Sequence, residues 1–258
     1  MGELSFVVDR VFHVHKRMIY ITSPVSHFLY FCSNLIHAWE YQMTDTFEAK
    51  GKRKKLVAEL RQKGIVDEEV LKAIDTVPRH MFMDPAFLSH AYVDKAFPIT
   101  SGQTISQPYT VAVQTSLLRV KRRDKILEIG TGSGYQAAVL AAMGAKVFTI
   151  ERFRELFLKA QRTLTSIGYS ADFFYGDGYE GKPQYGPFDG IVITAAAPAV
   201  PEKLLPQLKT GGRLVVPIGS SDNQVMTVVE RTGPDSFEYS QHGNFVFVPM
   251  LKGTVNDK

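Results

Sequence analysis

The run Leu127-Glu128-Ile129-Gly130-Thr131-Gly132-Ser133-Gly134 constrains the fold more than any other stretch of the chain. An apolar, strand-like segment runs into three glycines at alternate positions, and a helix-like segment begins at once at Tyr135. Glycines at such a turn permit backbone angles that side chains resist, and they let a ligand approach main-chain atoms. From Lys125 onward, short apolar runs alternate with helical stretches, the pattern of βαβ units on a parallel sheet. The expected strands are 125–129, 146–150, 171–175, 189–194 and 213–218, with helices at 135–143, 154–167 and 202–210. Two later runs, 225–230 and 245–249, read as an antiparallel closing pair. The expected fold is therefore a Rossmann-like α/β domain on a seven-stranded, mostly parallel sheet.

Upstream the period changes to that of helices. Leu56 and Leu60, then Val70, Leu71 and Ile74, recur at three- to four-residue spacing between Lys and Glu. Gly64 separates two short helices, Asp67 is placed to cap the second, and Pro78 ends it. The basic run from Lys50 to Lys55 reads as a solvated helix face rather than a nucleic-acid patch. Residues 85–108 are turn-rich. The stretch 18–39 lacks Lys, Arg, Asp and Glu and follows Lys16-Arg17, which mimics a leader or anchor. Pro24, His27, Asn34 and His37 dilute it, and the preferred reading is a translation start at Met43. The expected organisation is an extension at 1–42, a helical subdomain with a loop at 43–110, and the Rossmann-like core at 111–258.

A formal charge of +4 is too small to imply nucleic acid, and the single Cys32 allows no intrachain disulfide. The expectation is a monomeric cytoplasmic protein with no membrane or nucleic-acid partner. The lone cysteine and scattered histidines have no metal-ligand spacing, so no metal is expected.

Three acidic or glycine-rich strand ends point at one crevice. The first is the turn itself, Gly130, Thr131, Gly132, Ser133 and Gly134, spaced G-x-G-x-G, whereas a dinucleotide fold favours G-x-G-x-x-G. Glu128 suits a ligand with a cationic amino-acid end and would repel a pyrophosphate. The second is Glu151, about 20 residues on, placed to accept hydrogen bonds from both ribose hydroxyls. The third is Gly176-Asp177-Gly178, where Asp177 is placed to accept the adenine amino group beside Gly178. Together they predict S-adenosyl-L-methionine as the cofactor.

Upstream of the fold stands Gly102-Gln103-Thr104-Ile105-Ser106-Gln107-Pro108. With the glycine turn, Val77-Pro78-Arg79, Ala91-Tyr92 and Asp94, Gly176-Asp177-Gly178, Thr194-Ala195-Ala196-Ala197-Pro198 and the late Phe-Val-Pro-Met run, the chain resembles protein-L-isoaspartate (D-aspartate) O-methyltransferases from about Met43 to Gly253. The resemblance implies methyl transfer to the free α-carboxylate of isoaspartyl and D-aspartyl residues in damaged proteins, followed by closure to a succinimide that partly reopens to aspartate. It also implies that Ser106 orients the acceptor, while Thr104, Ile105 and Thr194 border the cofactor. Val246 stands where some relatives carry a basic residue.

Ser106 has a second reading, as the cap of a helix starting at Pro108. His80 and His90 are expected to be structural, because a carboxylate acceptor needs no base. Rival functions are methylation of RNA or a small molecule, a non-catalytic binding module, and a dinucleotide-dependent oxidoreductase. The T-A-A-A-P strand end, in place of N-P-P-Y, weighs against the first, the intact glycine turn with Glu151, Asp177 and Ser106 against the second, and the glycine spacing against the third.

Overall fold

The computed structural model describes residues 44–220 and 223–255. The expectations for the anchor-like stretch, the start at Met43 and Cys32 lie outside the described residues. Helix α1 (Phe47–Gln62) opens on Thr46, whose hydroxyl accepts from Ala49 N at 3.1 Å. Helix α2 (Glu68–Thr76) opens on Asp67, whose carboxylate accepts from Glu69 N and Val70 N, satisfying donors the first turn leaves free. Leu56, Leu60, Val70, Leu71 and Ile74 all face inward, as their spacing requires.

The basic run of α1 is not wholly solvated. Arg53 turns into the core, where its guanidinium grips Asp45 through two bonds of 2.9 and 3.0 Å, meets Tyr92 Oη at 3.3 Å and also donates to Asp75 O. Around Arg53 these partners replace the water that burial removes.

A two-stranded antiparallel ribbon, β1 (Phe97–Pro98) with β2 (Thr104–Ile105), precedes α3 (Pro108–Leu118). The large sheet contains β3 (Lys125–Ile129), β4 (Lys146–Glu151), β5 (Asp172–Tyr175), β6 (Phe188–Ile193), β7 (Leu208–Ser220), β8 (Asn223–Arg231) and β9 (Phe237–Phe245). Its spatial order is β5-β4-β3-β6-β7-β8-β9, parallel from β5 to β7 and antiparallel thereafter. Helix α4 (Tyr135–Ala142) links β3 to β4 and α5 (Arg154–Ser166) links β4 to β5.

Alternation along the strands divides the core between two faces. Ile126, Val147, Val192 and Val215 belong to a cluster that includes residues of α1 to α4. Leu127, Ile129, Phe148, Ile150, Ile191 and Ile193 belong to a second cluster closed by Leu204 and Met250. At roughly 25 cal/mol per Å2, burying such side chains on both faces is the main favourable term in holding the sheet.

Two expected elements differ. The helix expected at 202–210 is a 3-10 turn, Glu202–Gln207, because Pro206 lies inside it and β7 begins at Leu208. The closing strand is Phe237–Phe245, not 245–249; the apolar run after it leaves the ladder and bridges Ala196 through Pro249. No helix among the described residues is long and apolar enough to cross a membrane.

Candidate active site

After β3 the chain moves outward to β4 and β5, then returns to lay β6 on the other side of β3. Such a reversal opens a crevice beyond the strand ends. Its walls are the turn Gly130–Ser133, the loop Gln103–Ser106, Glu151 to Phe153 after β4, Thr194 and Ala195 after β6, Gly178, and the C-terminal run Val248–Leu251.

The turn is tied down from both sides. Thr194 Oγ1 donates within reach of Gly130 O (2.6 Å) and Ile129 O (3.0 Å), so β6 clasps the end of β3. A Cβ on Gly130 would lie 2.6 Å from that hydroxyl. Gly132 has φ +54°, and a Cβ there would meet only Ile99 Cδ1 at 3.9 Å. Its missing side chain thus leaves space beside the crevice wall. Glu151 is buried; Oε2 accepts from Gly132 N at 2.8 Å and Oε1 from Phe153 N at 2.9 Å. Burial raises its pKa, outweighing the backbone donors of Phe153, Gly132 and Arg152 that favour the charged form.

An open space beside glycine and a carboxylate with further lone pairs fit the ribose and amino-acid parts of adenosylmethionine. Thr104, Ile105, Ser106, Gly130, Thr131, Gly132, Ser133, Glu151, Gly178 and Thr194 are brought together at this crevice.

Three expected ligand residues are not. Glu128 shares its strand face with Ile126 and points into the core, fully buried. Its Oε2 accepts from Thr149 Oγ1 at 2.5 Å, and Thr149 in turn contacts Thr131 Oγ1 at 2.5 Å. Gly134, with φ +90°, caps α4 and backs onto Leu164, whose Cδ1 a Cβ would approach to 2.5 Å. Asp177 accepts from Tyr179 N (2.9 Å) and Gly253 N (2.7 Å), which ties the C-terminal run to the end of β5, and it is not among the residues that wall the crevice.

Burial pushes the Glu128 carboxyl up to about 8, with nearby Glu151 adding to the rise and the Thr149 hydroxyl opposing it. A carboxyl bound more tightly to its proton in the folded chain stabilises most below its unfolded pKa, and that contribution is lost as pH rises through about 8. Glu128→Gln should therefore flatten this dependence. We expect the wild type to lose up to a few kcal/mol relative to the variant between about pH 4.5 and 8. Denaturant melts at several pH values measure it, and parallel curves for the two proteins would refute the assignment.

A second groove adjoins the first and shares Thr104, Ser106, Thr194 and Val248 with it. Its other walls are Ala96, Gln107, Tyr109, Thr110, Asn244, Phe245, Val246 and Phe247, all uncharged. Val246 is 74% exposed there. The Ser106 hydroxyl, half-buried between the two openings, makes no hydrogen bond to the described residues. It does not cap α3, whose N-cap position is Gln107. His80 is buried and held by Tyr92 Oη at 2.7 Å and Thr44 O at 3.2 Å, and burial lowers its pKa. Neither it nor His90 lines either opening.

Sequence reasoning missed Gln103, Tyr135, Gln136, Arg152, Phe153 and the Val248–Leu251 wall. Adjacency to Glu151 and to the turn was a signal for some of them. For Val248–Leu251 the signal was the late Phe-Val-Pro-Met run of the resemblance, but its apolar pattern was read as a strand.

Comparison with known proteins shows the family. The profile of the protein-L-isoaspartate(D-aspartate) O-methyltransferase family matches residues 51–255. A protein-L-isoaspartate O-methyltransferase of Christiangramia forsetii is 54% identical over 211 residues, covering 81% of this chain and 99% of that relative. One of Cytophaga hutchinsonii is 56% identical over 209 residues, covering 81% and 95%. A solved protein-L-isoaspartate O-methyltransferase superposes with a TM-score of 0.70 at 30% identity, over 76% of this chain and 65% of that one. A Plasmodium falciparum chain, solved in complex with S-adenosyl-L-homocysteine, shares the fold with a TM-score of 0.69 at 24% identity, over 78% and 99%. Crevice, adjoining groove and these matches converge: the chain belongs to the protein-L-isoaspartate(D-aspartate) O-methyltransferase family.

Proposed function

We propose that this enzyme methylates the free α-carboxylate of L-isoaspartyl and D-aspartyl residues in damaged proteins, with the cofactor in the crevice and the peptide in the adjoining groove. The observation that carries the reading is that the crevice and the groove meet at Ser106, with Thr104 and Thr194 beside it. Adenosylmethionine supplies a methyl group on a cationic sulfur. Glu151 accepts the ribose hydroxyls, Gly130 to Ser133 offer main-chain contact, and Thr104, Ile105 and Thr194 wall the region between donor and acceptor.

The acceptor carboxylate, with an ordinary pKa of about 4, is ionised at neutral pH and needs no base. Ser106 donates to one of its oxygens and holds the other on the line of attack. Alignment of this kind supplies on the order of 7 kcal/mol in favourable cases. The uncharged groove matters as well. Its described lining offers the acceptor no charge, so Ser106 orients the carboxylate by hydrogen bonding alone. The ester so formed closes to a succinimide, which reopens in part to normal aspartate.

Labelled adenosylmethionine offered with paired peptides, one isoaspartyl and one aspartyl, tests the reading. We expect labelling of the isoaspartyl peptide to exceed the other on the order of 100-fold, since the two differ by the placement of one methylene. Equal labelling, or none, would discard it.

A further inference from the structure

We propose that Asp94 is a positioning residue for Ser106, acting by capping helix α3 from outside that helix. The inference rests on the acceptor role given to Ser106 above and names what holds that residue in place.

Helix α3 begins without a cap of its own. Gln107 occupies the N-cap position and makes no side-chain cap bond, and Pro108 follows as the first helical residue. The donor that a cap would satisfy is instead met by Asp94, whose Oδ1 accepts from Tyr109 N at 2.7 Å. The same carboxylate holds the Gln107 side chain, with Nε2 donating to Oδ2 at 3.0 Å. Lys63 Nζ completes the set at 2.6 Å from Oδ2. The Asp94 side chain is only 2% exposed, so leaving its bonds to Tyr109 N and Gln107 unmade would be costly.

Ser106 immediately precedes the residues held this way. On its other side the chain is fixed by the β1–β2 ribbon, in which Ile105 pairs with Phe97 and Thr104 with Pro98. Ser106 is therefore the free link between two anchors, one a backbone ladder and the other a single carboxylate. The ribbon sets where the chain arrives. Asp94 sets where it turns into the helix, and hence the direction of the Ser106 hydroxyl. Removing the carboxylate would release Gln107 and the first turn of α3 while leaving the Gly130–Ser133 turn and Glu151 untouched.

The plainer account is a stabilising ion pair with Lys63. It predicts that Lys63→Met and Asp94→Ala behave alike. Lys63 is 40% exposed and also pairs with Glu59, so the positioning account predicts turnover of Lys63→Met within about 2-fold of wild type.

A double-mutant cycle separates positioning from general stability. In the wild-type background Asp94→Ala should lower kcat on isoaspartyl peptide on the order of 30-fold, with adenosylhomocysteine affinity by calorimetry within about 3-fold. In the Ser106→Ala background the same substitution should cost less than about 3-fold, because the hydroxyl it positions is gone. Asp94→Asn retains an acceptor for Tyr109 N and should fall between wild type and Asp94→Ala. Equal losses in the two backgrounds, or a matching loss in Lys63→Met, would overturn the proposal. If Asp94→Ala does not fold, the same cycle with Asp94→Asn decides by the same criterion. A wild-type protein that does not distinguish isoaspartyl from aspartyl peptide would instead remove the functional reading, and this inference with it.

Discussion

Replacing Glu151 with alanine should weaken adenosylhomocysteine binding by about 3 kcal/mol, roughly 150-fold, as read by calorimetry. The carboxylate is buried at the mouth of β4 and meets two backbone amides that leave further lone pairs for a ligand. Hydrogen bonds from hydroxyls to a charged acceptor in such a place are stronger than exposed ones. The substitution also frees Gly132 N, so part of the loss is disorder of the turn itself. Glu151→Gln divides the two effects, because an amide oxygen still accepts from Gly132 N but carries no charge. An affinity unchanged in both variants would contradict the ribose assignment. Because burial raises the Glu151 pKa, affinity should also begin to fall at a higher pH than for a free glutamate as the solution is acidified.

The second large effect belongs to Ser106. Ser106→Ala should lower kcat roughly 50-fold, the loss of one hydrogen bond to a charged group worth about 2.3 kcal/mol, while cofactor affinity stays within about 2-fold. Its hydroxyl borders both openings and has no partner among the described residues, so its removal leaves no buried donor stranded. The two substitutions thus divide the site: one should act on affinity and the other on turnover. A Ser106→Ala protein that lost cofactor binding, or kept full turnover, would contradict this division.

Much of this site was legible because punctuation in the sequence is local. Gly130 to Gly134 end β3 and start α4 at the expected residues, and Glu151 closes β4 where the next strand end had to fall. What was illegible depends on neighbours distant in the chain. Glu128 looks like a ligand two residues before the turn, yet pleating turns it under α4. Arg53 sits in a basic run, but Asp45, Tyr92 and Asp75 gather around it only once the chain is folded. The last strand, Phe237–Phe245, is an edge strand exposed on both faces along most of its length, so it carries no apolar alternation. The run after it, Val246 to Met250, is continuously apolar and forms a wall instead of a strand.

With the damaged peptide in the groove, as proposed, the absence of charge among the described residues that line it has a consequence for the range of clients. Hydroxyls, amides and apolar side chains there provide no electrostatic pairing with either acidic or basic neighbours of the damaged residue. Under that proposal, discrimination falls to the contour of the main chain, in which an isopeptide link inserts one extra carbon and kinks the path. An enzyme that recognises the lesion by outline can serve unrelated proteins, whatever sequence happens to surround the fault.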